Sequence, residues 1–181
     1  MAYGVLEALA ETPIQWESRE KRLLDEVDII ASVSGGSLTA AYYALHRDRI
    51  FHEFESQVLG LDLASDTFWR ILSPRGLWRQ TSRRLGRADL LQEVLDERIF
   101  KGKTYADLPR SRPMIFINAT EMKLRERFEF SQDQFDRLCS DIGSLPIARA
   151  VAASMAAPIV LSPVTLWNFQ PSCPWRPLAP Q

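Results

Sequence analysis

Short apolar runs alternate with amphipathic segments along most of the chain. Residues 27–33 (VDIIASV) and 114–118 (MIFIN) are rich in branched apolar side chains, a pattern that predicts strands buried on both faces of a parallel sheet. Apolar positions at helical spacing predict helices over residues 3–10, 37–47, most of 50–99 and 147–156. Strands that alternate with helices in this way indicate an α/β fold.

Three further segments complete the predicted organisation. Residues 17–26 are highly charged and predict a helix ahead of the first strand, and residues 127–130 (RFEF) predict a strand that pairs near the second one. Prolines recur at three-residue spacing near the end of the chain. Because proline lacks an N–H and fixes φ, residues 166–181 are expected to form an extended or disordered tail. Residues 1–165 are then expected to form the folded domain.

The composition is that of a globular protein of one ordinary domain, with 181 residues of which 46% are hydrophobic and 25% charged. A net charge of −1 gives no global attraction to nucleic acid. The first residues lack a basic region and a small-residue cleavage site, and no apolar run approaches the roughly 18 residues of a transmembrane helix. The sequence therefore predicts a cytoplasmic protein, or one peripheral to a membrane, without a signal peptide.

The motif SVSGG, residues 32–36, lies between the first predicted strand and the helix that follows it. A serine at the tip of such a turn holds its Oγ out from the sheet edge, where a substrate carbonyl can reach it. The N–H of Gly35 and the helix N-terminus can then stabilise an oxyanion. The turn is expected to need small neighbours, which Gly35 and Gly36 supply, although Ser32 replaces the usual first glycine. Ser34 is therefore the candidate nucleophile.

Neither histidine is placed to activate Ser34. His46 follows twelve residues later on the same predicted helix, about 18 Å away at about 1.5 Å per residue. A catalytic hydrogen bond reaches only about 3 Å. His52 comes soon after it, where the chain would have to turn straight back. Both histidines are interpreted as surface residues, so the chain offers no histidine for a Ser-His-Asp triad.

Other polar residues near apolar segments have ordinary interpretations. Asn118, Thr120 and Glu121 end the second predicted strand, where capping or turn chemistry explains them as well as a site would. Ser154 lies among small residues and is interpreted as a helix-packing residue. Glu121 could act as a general base, but nothing in the sequence brings it near Ser34.

Several separated segments, in the same order, resemble the patatin-like phospholipase family: YGVLEALAE, DIIASVSGGSLTAAYYAL, KTYADLP with MIFINATEM, and SLPIARAVAASMAAPIVLSPV. They cover most of residues 1–165. The resemblance implies a three-layer α/β/α fold with a mostly parallel central sheet and a serine acyl hydrolase that acts on lipid acyl esters. It also implies a Ser-Asp dyad with Ser34 as nucleophile, Gly35 and Gly36 at the elbow and oxyanion site, and no metal or organic cofactor.

The chain departs from the family pattern at both ends. The family's glycine-rich oxyanion loop is expected just before residues 1–3, and its Asp-Gly-Gly or Asp-Gly-Ala motif after Leu161. The sequence instead leads into the proline-rich tail, and it has no aspartate after Asp141. We therefore expect a domain truncated at both ends. Since a serine without its base is a poor nucleophile, we also expect little or no hydrolysis by the isolated chain.

A basic and aromatic segment lies apart from the predicted site. Residues 68–87 carry six arginines, three aromatic residues and no acidic residue. This composition suits an anionic lipid interface, and the side chains expected to touch a membrane are Trp69, Arg70, Trp78, Arg79, Arg83 and Arg84. It would also suit nucleic-acid phosphates, although no nucleic acid is expected, or a solvated connection whose tryptophans reach into the core.

The sequence is compatible with three functions. The chain could be a serine hydrolase, a non-catalytic remnant or binding module of the same fold, or a phosphate-loop nucleotide-binding protein. Residues 34–39 (SGGSLT) resemble the SGGxDS loop of nucleotide pyrophosphatases, and a helix N-terminus binds phosphate well. However, Leu38 stands where that loop needs aspartate.

Overall fold

The alternation of strands and helices predicted by the sequence is present in a computed structural model, which describes residues 1–74, 76, 86–157 and 161–169. The helices are α1 (Ala2–Glu11), α2 (Gly35–His46), α3 (Ile50–Phe54), α4 (Leu63–Leu72), α5 (Arg87–Leu95), α6 (Gln132–Arg137) and α7 (Ile147–Met155). The strands are β1 (Pro13–Trp16), β2 (Arg19–Arg22), β3 (Ile29–Val33), β4 (Met114–Glu121) and β5 (Glu126–Glu129). Single π-helical turns, Glu55–Leu59 and Asp96–Phe100, continue α3 and α5.

The central sheet has the strand order β3-β4-β5. β3 and β4 are parallel, with Ile30 opposite Ile115 and Val33 opposite Asn118. Parallel neighbours need a long crossover, and α2 to α5 lie within it. β5 pairs with β4, which confirms the pairing predicted for the RFEF segment, and the two strands are antiparallel. With one parallel and one antiparallel pairing, the sheet is mixed.

The helix predicted over residues 17–26 is wrong. β1 and β2 instead form an antiparallel hairpin, with Glu17 and Ser18 at its turn, both at positive φ. A short 3₁₀ turn, Leu23–Glu26, follows it. The physical reason is that this segment has almost no apolar stripe, so a helix there would have nothing to bury. Two positive φ values in a two-residue turn match the twist of a hairpin.

Helices α2 and α7 pack against the same side of β4 and against each other. The strand residues on this side include Ile117, which is 1% exposed, and Ser32, which is 9% exposed. Both helices carry fully or almost fully buried alanines, and such small side chains allow neighbouring elements to pack closely around them: Ala40, Ala41 and Ala44 on α2, and Ala148, Ala150 and Ala152 on α7. The core is therefore built on one side of the strands.

The opposite side of β3 and β4 is open. Ile29 is 51% exposed, Val33 64% and Met114 52%. The prediction that these strands are buried on both faces is therefore wrong, because the described helices cover only one of them. β3 is also an edge strand of the described sheet, with β4 as its partner.

A partly buried ion pair joins α7 to α5. Nη1 of Arg149 donates to Oδ1 of Asp89 at 3.1 Å and to Oε1 of Gln92 at 2.7 Å. Its Nη2 donates to the carbonyl of Thr165 at 2.7 Å. The arginine that interrupts the apolar pattern of α7 thus ties that helix to α5 and to residues 161–169.

The part of the predicted tail that the structure describes, residues 166–169, has no regular secondary structure. Its last residue, Phe169, donates its backbone N–H to the carbonyl of Leu138 at 2.9 Å. Residues 170–181, where the repeated prolines lie, are outside the described residues. Within the described ranges no helix has the length and apolar character required to cross a membrane.

The one-sided core predicts a contrast between two isoleucines of neighbouring strands. Replacing Ile117, which is 1% exposed, with alanine is expected to lower the free energy of unfolding by about 2–5 kcal/mol, because it leaves a cavity. Replacing Ile29, which lies on the open face, with alanine is expected to lower the free energy of unfolding by about 1 kcal/mol or less. Urea unfolding followed by circular dichroism measures both. Equal losses would contradict the open face.

Candidate active site

Ser34 lies at the junction of β3 and α2, where it is the N-cap residue of the helix. Its backbone angles are φ 55° and ψ −135°, a combination that costs a non-glycine residue on the order of 1–3 kcal/mol. A sharp, strained turn from strand to helix is the geometry of a nucleophile elbow. Arg47, at the other end of α2, has nearly the same angles. The strain alone therefore does not distinguish the elbow from the other end of α2.

The hydroxyl of Ser34 is available to a ligand. The residue is exposed, as is Gly35 beside it. Among the described residues none forms a hydrogen bond with its Oγ. The backbone, in contrast, is held on both sides: the carbonyl of Ser34 accepts the N–H of Ser37 at 2.9 Å, and its own N–H donates to Oγ of Ser154 at 2.8 Å. The result is a fixed backbone that carries a free hydroxyl.

Ser154 forms the centre of a small polar network beneath this turn. Besides accepting the N–H of Ser34, its Oγ lies 2.9 Å from Oγ of Ser37 and donates to the carbonyl of Asn118 at 2.6 Å. Sequence reasoning interpreted Ser154 as a packing residue and missed this role. Only the unusual hydroxyl in an alanine-rich helix could have signalled it.

The two polar residues that flank the elbow in the sheet are also bonded. Ser32, which replaces the first glycine of the usual motif, turns its hydroxyl inward and donates to the carbonyl of Phe116 at 3.3 Å. Asn118 donates through Nδ2 to the carbonyls of Ser32 and Phe116, both at 3.1 Å. These bonds tie the ends of β3 and β4 together. They explain why a serine is tolerated at position 32.

A comparison with protein-family descriptions finds a match to "Patatin-like phospholipase" over residues 1–168. The match contains the strand, the elbow, α2 and α7. The chain belongs to the patatin-like phospholipase family. No curated protein and no solved structure matches significantly. The resemblance stated from the sequence motifs is thereby confirmed, and with it the mixed α/β fold of a family of lipid acyl hydrolases.

The glycines of this patatin-like elbow are not required by contacts with the described residues. A Cβ added to Gly35 would meet no atom within 4 Å, and one added to Gly36 would lie 3.9 Å from Cβ of Ala2, an ordinary contact. For a single added methyl group, the expected clash with strand or helix is therefore absent among the described residues. The space beside Gly35 is open instead, and its N–H, at the first position of α2, has no acceptor within the helix.

The histidines lie where the sequence placed them, away from the elbow. His46 ends α2, and its ring centroid is 4.3 Å from that of Tyr42. Burial, followed by the nearby positive charge of Arg49, lowers the pKa of His46. It lines a cavity of about 320 Å³ together with Tyr42, Arg49 and Lys101. His52, on α3, is exposed. The interpretation as surface residues thus fits His52, whereas His46 is half-buried.

Glu121 does not serve Ser34 in this arrangement. Its carboxylate accepts the backbone N–H groups of Lys123, at 3.1 Å, and of Leu124, and so caps the turn between β4 and β5. In the described part of the chain, neither a carboxylate nor an imidazole hydrogen-bonds to Ser34. Likewise, the His, Cys, Asp and Glu side chains of the described ranges form no group of three or more that could hold a metal ion.

The aromatic and basic residues expected at a membrane are only partly described. Trp69 on α4 is 66% exposed, whereas the guanidinium of Arg70 is hydrogen-bonded to Glu97 and lies 3.9 Å from Glu93. Arg70 is therefore engaged within the protein. The remaining members of the set, Trp78, Arg79, Arg83 and Arg84, lie outside the described residues.

The open space at the elbow predicts that position 35 tolerates a larger side chain, whereas the buried position 37 does not. Gly35→Ala is expected to leave the melting temperature unchanged or slightly raised, because its methyl group meets nothing and alanine favours the helix. Ser37→Val is expected to destabilise the fold by about 1–3 kcal/mol, since residue 37 is fully buried and its hydroxyl is bonded. Thermal unfolding compares the two. A large loss in Gly35→Ala would contradict this geometry.

Proposed function

We propose that this chain is a serine acyl hydrolase domain that acts on lipid acyl esters, with Ser34 as the nucleophile. The observation that carries the proposal is the free, exposed hydroxyl of Ser34 on a fixed and strained strand-to-helix turn. Membership of the patatin-like family supports lipid esters as the substrate class. No metal or organic cofactor enters the proposed reaction.

The proposed reaction begins when Oγ of Ser34 attacks the acyl carbonyl and loses its proton to a base. The carbonyl oxygen becomes negatively charged and faces the N–H of Gly35 at the positive end of α2. Collapse of this intermediate expels the alcohol, which takes up a proton, and leaves an acyl group on Ser34. Water then releases the fatty acid by the same route.

We propose that the base in this reaction is an aspartate, which forms a Ser-Asp dyad with Ser34. The 181 residues contain no aspartate after Asp141, and none in the described ranges is bonded to Ser34. Loss of a general base lowers a rate on the order of 10²–10⁴-fold. We therefore expect little or no turnover by the isolated chain. The same observation favours a second candidate function, a non-catalytic binding module that keeps the family fold.

A nucleotide phosphate loop is less well supported. Leu38, which occupies the aspartate position of that loop, is 8% exposed and belongs to the hydrophobic core. A charged side chain would be costly there. Thermal stabilisation of the protein by ATP is the measurement that would revive this alternative.

A fluorophosphonate probe tests Ser34 as the nucleophile without requiring turnover. Slow covalent marking of Ser34, located by peptide mass spectrometry, is expected in the unsubstituted protein, because marking needs no second, hydrolytic step and the N–H of Gly35 can stabilise the charge that develops on the probe. No marking is expected in Ser34→Ala. Ser56→Ala is the matched control, because Ser56 is also exposed and its hydroxyl donates to the backbone of Glu53. A well-folded protein that is not marked would favour the binding module.

Hydrolysis of a p-nitrophenyl ester tests the missing base. Turnover near the background rate is expected from the isolated chain, since none of the described residues bonded to Ser34 is a base that could remove its proton. Robust turnover that is lost in Ser34→Ala would show that Ser34 is the nucleophile and would refute the expectation that its base is missing. Turnover that survives Ser34→Ala would remove Ser34 from the reaction.

We also propose that the protein is either cytoplasmic or peripheral to a membrane, and that a peripheral contact with lipid is made by the surface around α4. Phe68, Trp69 and Leu72 of α4 are 55%, 66% and 46% exposed, and the rings of Phe68 and Trp69 lie 5.8 Å apart. Aromatic and aliphatic side chains grouped in this way are suited to the interfacial region of a bilayer. Because Arg70 is bonded to Glu97, the apolar side chains carry this contact in the described part of the surface.

Vesicle flotation tests this surface. Trp69→Ala is expected to lower the partition onto phosphatidylcholine vesicles, with or without phosphatidylserine, by about tenfold, because the buried aromatic area is lost. Trp16→Ala is the matched control, since Trp16 is 56% exposed but lies on the β1–β2 hairpin. Equal partition of both variants and the unsubstituted protein would exclude α4 as the lipid contact.

A further inference from the structure

The hydroxyl of Ser154 lies where three elements of the fold meet. It contacts the N–H of Ser34 at the elbow, the hydroxyl of Ser37 in the first turn of α2, and the carbonyl of Asn118 in β4. These partners are 120, 117 and 36 residues away in sequence. A single side chain of α7 therefore joins the end of one strand, the start of one helix and the neighbouring strand.

Counting protons fixes the direction of all three bonds. A hydroxyl has one proton to donate and two lone pairs that accept. The carbonyl of Asn118 can only accept a hydrogen bond and the N–H of Ser34 can only donate one. The hydroxyl of Ser154 therefore donates its proton to the carbonyl of Asn118 and accepts a hydrogen bond from the N–H of Ser34. Its remaining lone pair must then receive the hydroxyl proton of Ser37. The capacity of Ser154 is fully used.

We infer that Ser154 is a positioning residue, whose hydroxyl fixes the amide of Ser34 and thereby holds the strained backbone that displays the nucleophile. This inference rests on the proposed role of Ser34. Strain of this kind persists only when the surroundings over-determine the backbone. The Ser154 bond supplies the restraint on the N–H side of Ser34, and the first turn of α2 supplies the one on its carbonyl side.

Two consequences separate this role from a chemical one. Because the only proton of Ser154 goes to Asn118, the hydroxyl has none to give to an oxyanion, and it acts on the reaction through Ser34 alone. Because the N–H of Ser34 is already bonded to Ser154, the elbow's donor to an oxyanion is the N–H of Gly35. A residue that only packed at position 154 would need no hydroxyl, since the other small residues of α7 pack as alanines.

The variants Ser154→Thr and Ser154→Val test the inference, because the two side chains have the same shape and only threonine keeps a hydroxyl. The first measurement is hydrogen exchange of the Ser34 amide, followed by ¹⁵N NMR. Protection is expected in the unsubstituted protein and in Ser154→Thr. At least tenfold faster exchange is expected in Ser154→Val, while amides of the β3–β4 ladder stay protected.

Ser37→Ala is the matched control, because it removes a partner of Ser154 but leaves the bond to the Ser34 amide. Protection of that amide is therefore expected to remain. Equal exchange in the threonine and valine variants would overturn the inference. So would exchange of the Ser34 amide at the rate of an unstructured peptide in the unsubstituted protein, a result that needs no variant to fold.

Fluorophosphonate kinetics at Ser34 supply a second readout. A positioning role predicts that the maximal rate of marking falls at least tenfold from Ser154→Thr to Ser154→Val, while the probe concentration at half-maximal rate is unchanged. Equal marking of both variants would overturn the inference and leave Ser34 as the nucleophile. An unsubstituted protein with a protected Ser34 amide but no marking would instead remove the proposed function, and with it the catalytic meaning of Ser154.

Discussion

The backbone of Ser34 is the constraint on which the candidate site depends. Its positive φ is costly, so the turn exists only because other parts of the fold hold it. The pairing of Val33 with Asn118 fixes the strand before it, and the bond from the N–H of Ser37 to its carbonyl fixes the helix after it. Ser154 adds a restraint from a third element. Arg47 shows that the same angles occur without such a display, so the function of the turn lies in the exposed hydroxyl that it carries.

The same packing that holds the elbow leaves one side of the sheet open. α2 and α7 pack against β4 and against each other on one side of the sheet, and the hydroxyl of Ser37 on α2 is bonded to that of Ser154 on α7, which donates to the carbonyl of Asn118 in β4. The apolar residues of the other side, Ile29, Val33 and Met114, stay exposed. Removing such surface from water is favourable, at about 25 cal/mol per Å². An apolar surface therefore extends along β3 to Val33, the residue that precedes the candidate nucleophile.

The sequence predicted what depends on local pattern and missed what depends on distant contacts. Branched apolar runs predicted β3 and β4, and SVSGG predicted the turn at Ser34, because strand propensity and turn chemistry act over a few residues. The helix predicted over residues 17–26 was wrong because charge spacing was read without an apolar stripe to support it. Ser154 was interpreted as packing because its partner lies 120 residues away. The open sheet face was missed for a similar reason, since burial is decided by which helices pack there.

The position of Ser34 and the activation of its hydroxyl depend on different groups. The groups that hold Ser34 are amides, carbonyls and the hydroxyls of Ser37 and Ser154, which keep the same charge across the pH range in which proteins are folded. The geometry of the elbow is therefore insensitive to pH, and nothing in that network is basic enough to take the proton of the nucleophile. Only a titrating group could supply the activation. The elbow can therefore display the serine in the right place whether or not it is activated, because a carboxylate that supplied the base would change the rate without requiring the elbow to move.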